Sequence, residues 1–143
     1  MASILIVDDQ ADIRRVLTRL VRLAGHDAVD LPGGPEALAH LARHIPDLIL
    51  LDVMMPDVDG FDVLRSVRAD PRTARVPVVM FSAVSAEEMI ERARAEGASD
   101  YWIKGAISAE SLCAGIAAHL ARADRRSGGG SLAADGLNSA ASV

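Results

Sequence analysis

Five polar side chains follow short apolar runs in this chain. Asp8 and Asp9 come after "ILIV" (4–7), Asp52 comes after "LILL" (48–51), Ser82 after "VVMF" (78–81) and Lys104 after "YWI" (101–103). Taken singly, each has an ordinary reading: strand ends meet water, an Asp can cap a helix, and a Ser can bond its own loop. Their recurrence after four of five runs is what argues for a site. Three carboxylates at one edge repel each other and raise their own pKa values unless a cation sits among them. Oxygen ligands alone suit Mg²⁺, which keeps several waters and bridges to phosphate. Lys104 is the only lysine, the other fourteen basic residues being arginines. The position therefore selects a compact ammonium on a flexible stem, which suits a carboxylate or phosphoryl oxygen. Together these groups describe phosphoryl transfer. An Asp carboxylate can be the nucleophile, a cation and a lysine offset charge on the moving group, and a hydroxyl donates to one of its oxygens. Neither standard glycine-rich phosphate loop is present, so bound ATP is not the expected donor.

The elements that must position these groups follow from the hydrophobic pattern. The runs at 4–7, 48–51 and 78–81 do not alternate, as expected of strands buried on both faces of a parallel sheet, and weaker strands are expected at 28–31 and 101–103. Helical patterns lie between them. Ile13, Val16, Leu17 and Leu20 recur at a 3.6 period before Gly25, a second helix is expected from Pro35 to about His44, and a third from Phe61 to Ala69. Ser85 and Glu88 have capping-box spacing ahead of a fourth helix that Gly97 ends, and a fifth runs from about Ser108 to Arg122 with Leu112, Ile116 and Leu120 on one face. Strands alternating with helices predict an α/β fold with right-handed crossovers, in which sites form beyond the carboxyl ends of the strands. The second strand is followed only by Pro32 and Gly33 and delivers no obvious group.

Length and composition agree with this. A chain of 143 residues, half of them apolar and few of them aromatic, fits one domain with a real core. We expect that domain over residues 1–123 and a flexible Gly/Ser/Ala-rich tail over 124–143, "SGGGSLAADGLNSAASV" being without periodicity. A net charge of −5 without a dominant basic stretch leads us to expect neither nucleic acid nor a membrane as partner. The arginines, including Arg72 and Arg75 before the fourth strand, read as solvated surface. Cys113, the only cysteine, sits in an apolar helical pattern as a buried, inert thiol and suits a reducing compartment. The N-terminus "MASILIVDD" has no basic region and reaches acids too early for a signal peptide, and no apolar run approaches a bilayer span. The expected setting is cytoplasmic.

The segments "ILIVDDQ", "LILLDVMMPDVDG", "VVMFSA" and "DYWIK" resemble, in order and spacing over residues 3 to about 122, the receiver domain of bacterial two-component response regulators. That resemblance implies a doubly wound, flavodoxin-like α/β fold: a five-stranded parallel sheet of order 2-1-3-4-5 with five helices on its two faces. It implies a signalling switch rather than an enzyme. Asp52 would be the phosphoacceptor, taking a phosphoryl group from a histidine kinase, a phosphotransfer protein or a small acyl phosphate. Asp8 and Asp9 would hold Mg²⁺ together with Asp52 and the backbone carbonyl of Met54. Ser82 and Lys104 would contact the phosphoryl oxygens with the Ala83 backbone N–H, and Tyr101 would be the switch aromatic that turns inward when Ser82 moves. In the acceptor loop, Pro56 and Gly60 would shape the turn while Asp57 and Asp59 are solvated turn residues. A homodimer through the face of the fourth helix, fifth strand and fifth helix is compatible with the same resemblance.

Three departures stand out. Gly105 follows Lys104 where the family usually has a cis proline. A cis bond without proline costs about 2.5–4 kcal/mol, so a trans bond is expected. Met54 and Val84, two positions beyond Asp52 and Ser82, cannot orient a water, so self-dephosphorylation is expected to be slow. The segment after residue 126 shows no pattern of an output domain; if the chain is complete, signalling by protein contact is expected, through the face of the fourth helix, fifth strand and fifth helix. The alternative reading is a receiver-like binding module that is never phosphorylated. A phosphatase with an aspartyl nucleophile fits poorly, because Met54 stands where such an enzyme carries a second Asp. His40 and His44 have a zinc-compatible spacing but no third ligand in view, and exposed helix histidines are the expected reading.

Overall fold

The computed structural model describes residues 1–128 of the chain. Its elements are β1 (Ser3–Val7), α1 (Ala11–Leu23), β2 (Asp27–Leu31), α2 (Gly34–Leu41), β3 (Leu48–Asp52), α3 (Gly60–Ala69), β4 (Val78–Ser82), α4 (Glu87–Ala95), β5 (Asp100–Ile103) and α5 (Ala109–Gly128). The strands form one parallel sheet of order β2-β1-β3-β4-β5, the expected doubly wound architecture. The connection leaving β1 runs to one side of the sheet and that leaving β3 runs to the other. The border between β1 and β3 is therefore a topological switch point, where such sheets open a crevice.

Every position of β3 and β4 is buried, which is why their runs do not alternate. On one face Leu5, Ile49, Leu51, Val78 and Met80 meet Phe61, Leu64 and Val67 of α3. On the other, Ile4, Ile6, Leu48, Leu50 and Val79 meet Leu17 and Val21 of α1 and Leu112 and Ile116 of α5. Burying each such side chain contributes about 1.5–3 kcal/mol, so both faces hold the strand ends in place.

Helix details correct the sequence reading in four places. Val16 is 57% exposed, because the inward stripe of α1 is Ile13, Leu17 and Val21, one helical step away from it. Ser85 does not cap α4: the helix starts at Glu87 after Ala86, with no side-chain cap. Regular α2 ends at Leu41, although the His44 N–H still bonds the His40 carbonyl at 2.9 Å. The fifth helix continues to Gly128, past Arg122, and residues 129–143 of the expected tail lie outside the described residues.

The acceptor loop carries a further correction. Asp59 is not merely a solvated turn residue; it is the N-cap of α3. Its Oδ1 accepts the Asp62 N–H at 3.0 Å, and Asp62 Oδ2 accepts the Asp59 N–H at 3.1 Å, a reciprocal capping box. Asp57 remains exposed and takes a positive φ of 68°. The loop is closed by the Gly60 N–H, which donates to the Val53 carbonyl at 2.9 Å. A Cβ on Gly60 would overlap the Asp52 carbonyl oxygen and lie 2.9 Å from the Val53 Cα. Only glycine lets α3 start this close to the acceptor strand.

Gly60→Ala is expected to destabilise the fold by about 3 kcal/mol, because the clash is with backbone that cannot swing away. Gly105→Ala has open space around it but a φ of +82°, and should cost about 1 kcal/mol. Urea denaturation followed by fluorescence of Trp102, the single tryptophan, measures both.

Candidate functional site

The carboxyl ends of β1, β3, β4 and β5 deliver Asp8, Asp52, Ser82 and Lys104 to one edge of the sheet. Asp8 is 1% exposed, Asp52 4% and Ser82 1%, whereas Asp9 is exposed. Asp8, Asp9 and Asp52 each offer an oxygen within 4.8 Å of the others, and no other group of three or more potential metal ligands occurs among the described residues. The Lys104 ammonium reaches across two strands to this cluster. Its Nζ lies 2.7 Å from Asp8 Oδ2 and 3.3 Å from Asp52 Oδ2. Among the described residues there is no cis peptide bond, so Lys104 takes this position with a trans bond to Gly105.

One lysine does not neutralise three acids. Burial, then the Asp8 charge, push the Asp52 carboxyl up to about 7; Lys104 pulls it down but does not win. Asp8 Oδ2 is buried and makes no well-directed hydrogen bond, although the ammonium is near. A raised carboxyl pKa, an orphaned buried oxygen and an oxygen-only donor set all fit a divalent cation held by Asp8, Asp9 and Asp52.

The remaining expected residues sit around this centre. The Met54 N–H donates to Asp52 Oδ1 at 3.3 Å, and the Met54 residue itself is 60% exposed. Ala83, directly after Ser82, is exposed. Tyr101 stands apart from the acids. Its hydroxyl donates to the Val84 carbonyl at 2.6 Å, while the Val84 N–H donates to Ser82 Oγ at 3.1 Å. One residue therefore links Tyr101 to the hydroxyl at the site. The Lys104 N–H donates to the Ser82 carbonyl at 2.8 Å, fixing the last residues of β4 and β5 side by side.

Sequence reasoning missed two residues. The Gln10 N–H donates to Asp8 Oδ1 at 2.8 Å, and its side-chain Oε1 accepts from Lys104 Nζ at 3.0 Å. Arg14 donates from Nη1 to the Asp8 carbonyl at 2.7 Å and from Nε to Asp30 Oδ2 at 3.2 Å. Neither lies in a strand-end run. A polar residue opening a helix was the only available signal for Gln10, and Arg14 reads as one helix arginine among several.

The chain matches the family model described as "Response regulator receiver domain" over residues 4–117. It is 37% identical over 125 residues to the DNA-binding dual master transcriptional regulator RpaA of Synechocystis sp., a match covering 87% of this chain and 52% of RpaA. Its fold is similar to that of chemotaxis protein CheY4 of Vibrio cholerae, with a TM-score of 0.77, 29% identity, and 82% of this chain and 97% of that one covered. It is also similar to the Mn(2+)-bound form of response regulator Rcp1, with a TM-score of 0.71, 25% identity, and 81% and 91% covered. The chain spans 55%, 14% and 23% of three further curated relatives, about half their length or less. These lengths correct one expectation. The net charge of −5 does not exclude nucleic acid as a partner, because a charge describes only the segment that carries it, and RpaA, a longer protein, is DNA-binding.

The Asp52 shift predicts a pH dependence in metal-free protein. The folded carboxyl holds its proton up to about pH 7, whereas an unfolded Asp loses it near 3.8. Between those values the folded chain binds more protons than the unfolded one, so stability falls as pH rises through that window. Urea midpoints in EDTA should therefore decline more steeply from pH 4 to 7 for the native chain than for Asp52→Asn. Above pH 7 the variant should be the more stable, by a few kcal/mol.

Proposed function

The chain belongs to the response regulator receiver domain family, and on that premise we propose that it is a cytoplasmic switch that accepts a phosphoryl group on Asp52. The observation that carries this reading is the position of Asp52. It is a buried carboxylate ending β3, with a lysine ammonium 3.3 Å away and two further carboxylates close by. An Asp52 oxygen attacks phosphorus, the bond from phosphorus to the donor breaks, and the electron pair leaves with the donor. For a histidine kinase the leaving group is an imidazole; for a small acyl phosphate it is a carboxylate. An Mg²⁺ ion held by Asp8, Asp9, Asp52 and the Met54 carbonyl would offset charge on the phosphoryl oxygens and keep Asp52 ionised. Lys104 turns its ammonium from Asp52 Oδ2 to a phosphoryl oxygen, and Ser82 and the Ala83 N–H donate to others.

The switch follows from the same contacts. When the Ser82 hydroxyl turns to the phosphoryl group, it leaves the Val84 N–H, and the Val84 carbonyl is what the Tyr101 hydroxyl holds. The position of Tyr101 is thereby tied to the state of Asp52. The relatives' names include a DNA-binding transcriptional regulator, so in a longer protein this switch would serve a nucleic-acid-binding effector.

Incubation of the native chain with Mg²⁺ and acetyl phosphate should add one phosphoryl group by intact mass, and none should add to Asp52→Ala or when EDTA is present. An equal gain in Asp52→Ala would overturn the assignment. The acyl phosphate should also be long-lived, because Met54 and Val84 carry no group to orient water. Met54→Asn should shorten its half-life about tenfold, less than the roughly 10²–10⁴-fold of a positioned acid or base, because a carboxamide orients water without taking its proton. The decay of phosphorylated protein after removal of the donor measures it.

A further inference from the structure

We propose that Gln10 is a positioning residue for Lys104, its carboxamide oxygen serving as the third anchor of the ammonium. The inference rests on the phosphoacceptor reading of Asp52. Three oxygens surround Lys104 Nζ: Asp8 Oδ2 at 2.7 Å and Asp52 Oδ2 at 3.3 Å pair with it by charge, and Gln10 Oε1 accepts a directed hydrogen bond from it at 3.0 Å. The side chain needs such anchoring. It starts at the end of β5 and must cross β4 and β3 to reach Asp8, on a stem with about 2 kcal/mol of rotamer entropy. The backbone after it is glycine at φ +82° with open space around it, so nothing on that side steers the stem.

The three anchors have different fates. Asp8 is a cation ligand in the proposed loaded site, and Asp52 is the group that changes when it is phosphorylated. Gln10 is neutral and belongs to neither event. Its backbone is held in place, the N–H donating to Asp8 Oδ1 at 2.8 Å, and it occupies the N-cap of α1 without using its side chain as a cap. The carboxamide is thus free to hold Lys104 while the ammonium moves one N–H from Asp52 to a phosphoryl oxygen.

Lys104 is the only lysine of the chain, so lysine labelled with ¹⁵N gives one side-chain ammonium signal in the full-length protein. That signal should be visible through slow exchange with water in the native chain. Gln10→Met, which keeps the length and removes the acceptor, should broaden it and slow phosphorylation by acetyl phosphate about three- to tenfold. Gln10→Glu, which restores an acceptor at the same reach, should recover the signal. An ammonium exchange unchanged in Gln10→Met overturns the proposal, whatever the rate. If exchange changes as expected but no variant, the native chain included, is phosphorylated, the anchor stands and the phosphoacceptor reading falls.

Discussion

The structure turns on an electrostatic mismatch: two buried carboxylates and one exposed one meet a single ammonium at the border of β1 and β3. Asp8 follows β1 directly and Asp52 ends the neighbouring β3, so the register that pairs Val7 with Leu51 also forces their acids together. A sheet edge with this much uncompensated charge is costly, and the raised pKa of Asp52 is its direct expression. The surrounding fold keeps Asp8 and Asp52 apart from water and from relaxation. Both strands are clamped between apolar layers, and α3 begins against the carbonyl of Asp52 itself. The same cost makes the site responsive, since any cation or phosphoryl group that enters changes the local balance by several kcal/mol.

Much of this was legible in the sequence because it depends on local pattern. Unalternating runs named the buried strands, and a chain of strand–helix units has few topologies available, so the residues after each run could be placed at one edge. The composition made Lys104 conspicuous among arginines. What could not be read depends on which face of a helix turns inward and on contacts across the fold. Val16 and Val21 are equally apolar, and only packing decides that Val21 goes in. Ser85 and Glu88 carry a capping pattern, yet the box forms with two aspartates at Asp59 and Asp62 instead. The partner reading failed for a different reason: charge was measured on one segment of what, in RpaA, is a longer protein.

The helix arginines divide along the same line. Arg15 pairs with Asp12 at the surface, where such a pair contributes little. Arg65 and Arg92 converge on Glu96, joining α3 to α4, and the Arg92 guanidinium also lies 3.9 Å from the Phe61 ring centroid. Arg68 donates to the carbonyls of Gly97, Ala74 and Val76 and so closes the base of β4 and β5. A solvated-surface reading describes the first of these and misses the rest, because a guanidinium satisfying backbone carbonyls looks in sequence like any other arginine.

The second strand shows how far indirect positioning reaches. It sends no side chain to the acids, and by sequence it is the one strand without a role. Yet the Leu31 carbonyl accepts the Asp8 N–H at 3.1 Å, and Asp30 accepts from the same Arg14 that grips the Asp8 carbonyl. Both backbone groups of Asp8 are therefore fixed from β2 or through it, while Gln10 fixes its Oδ1. With its peptide groups and one oxygen committed, the freedom left to Asp8 is in Oδ2, the orphaned atom that faces Lys104. The edge strand holds the acid still so that charge, and not backbone motion, sets how the site answers a ligand.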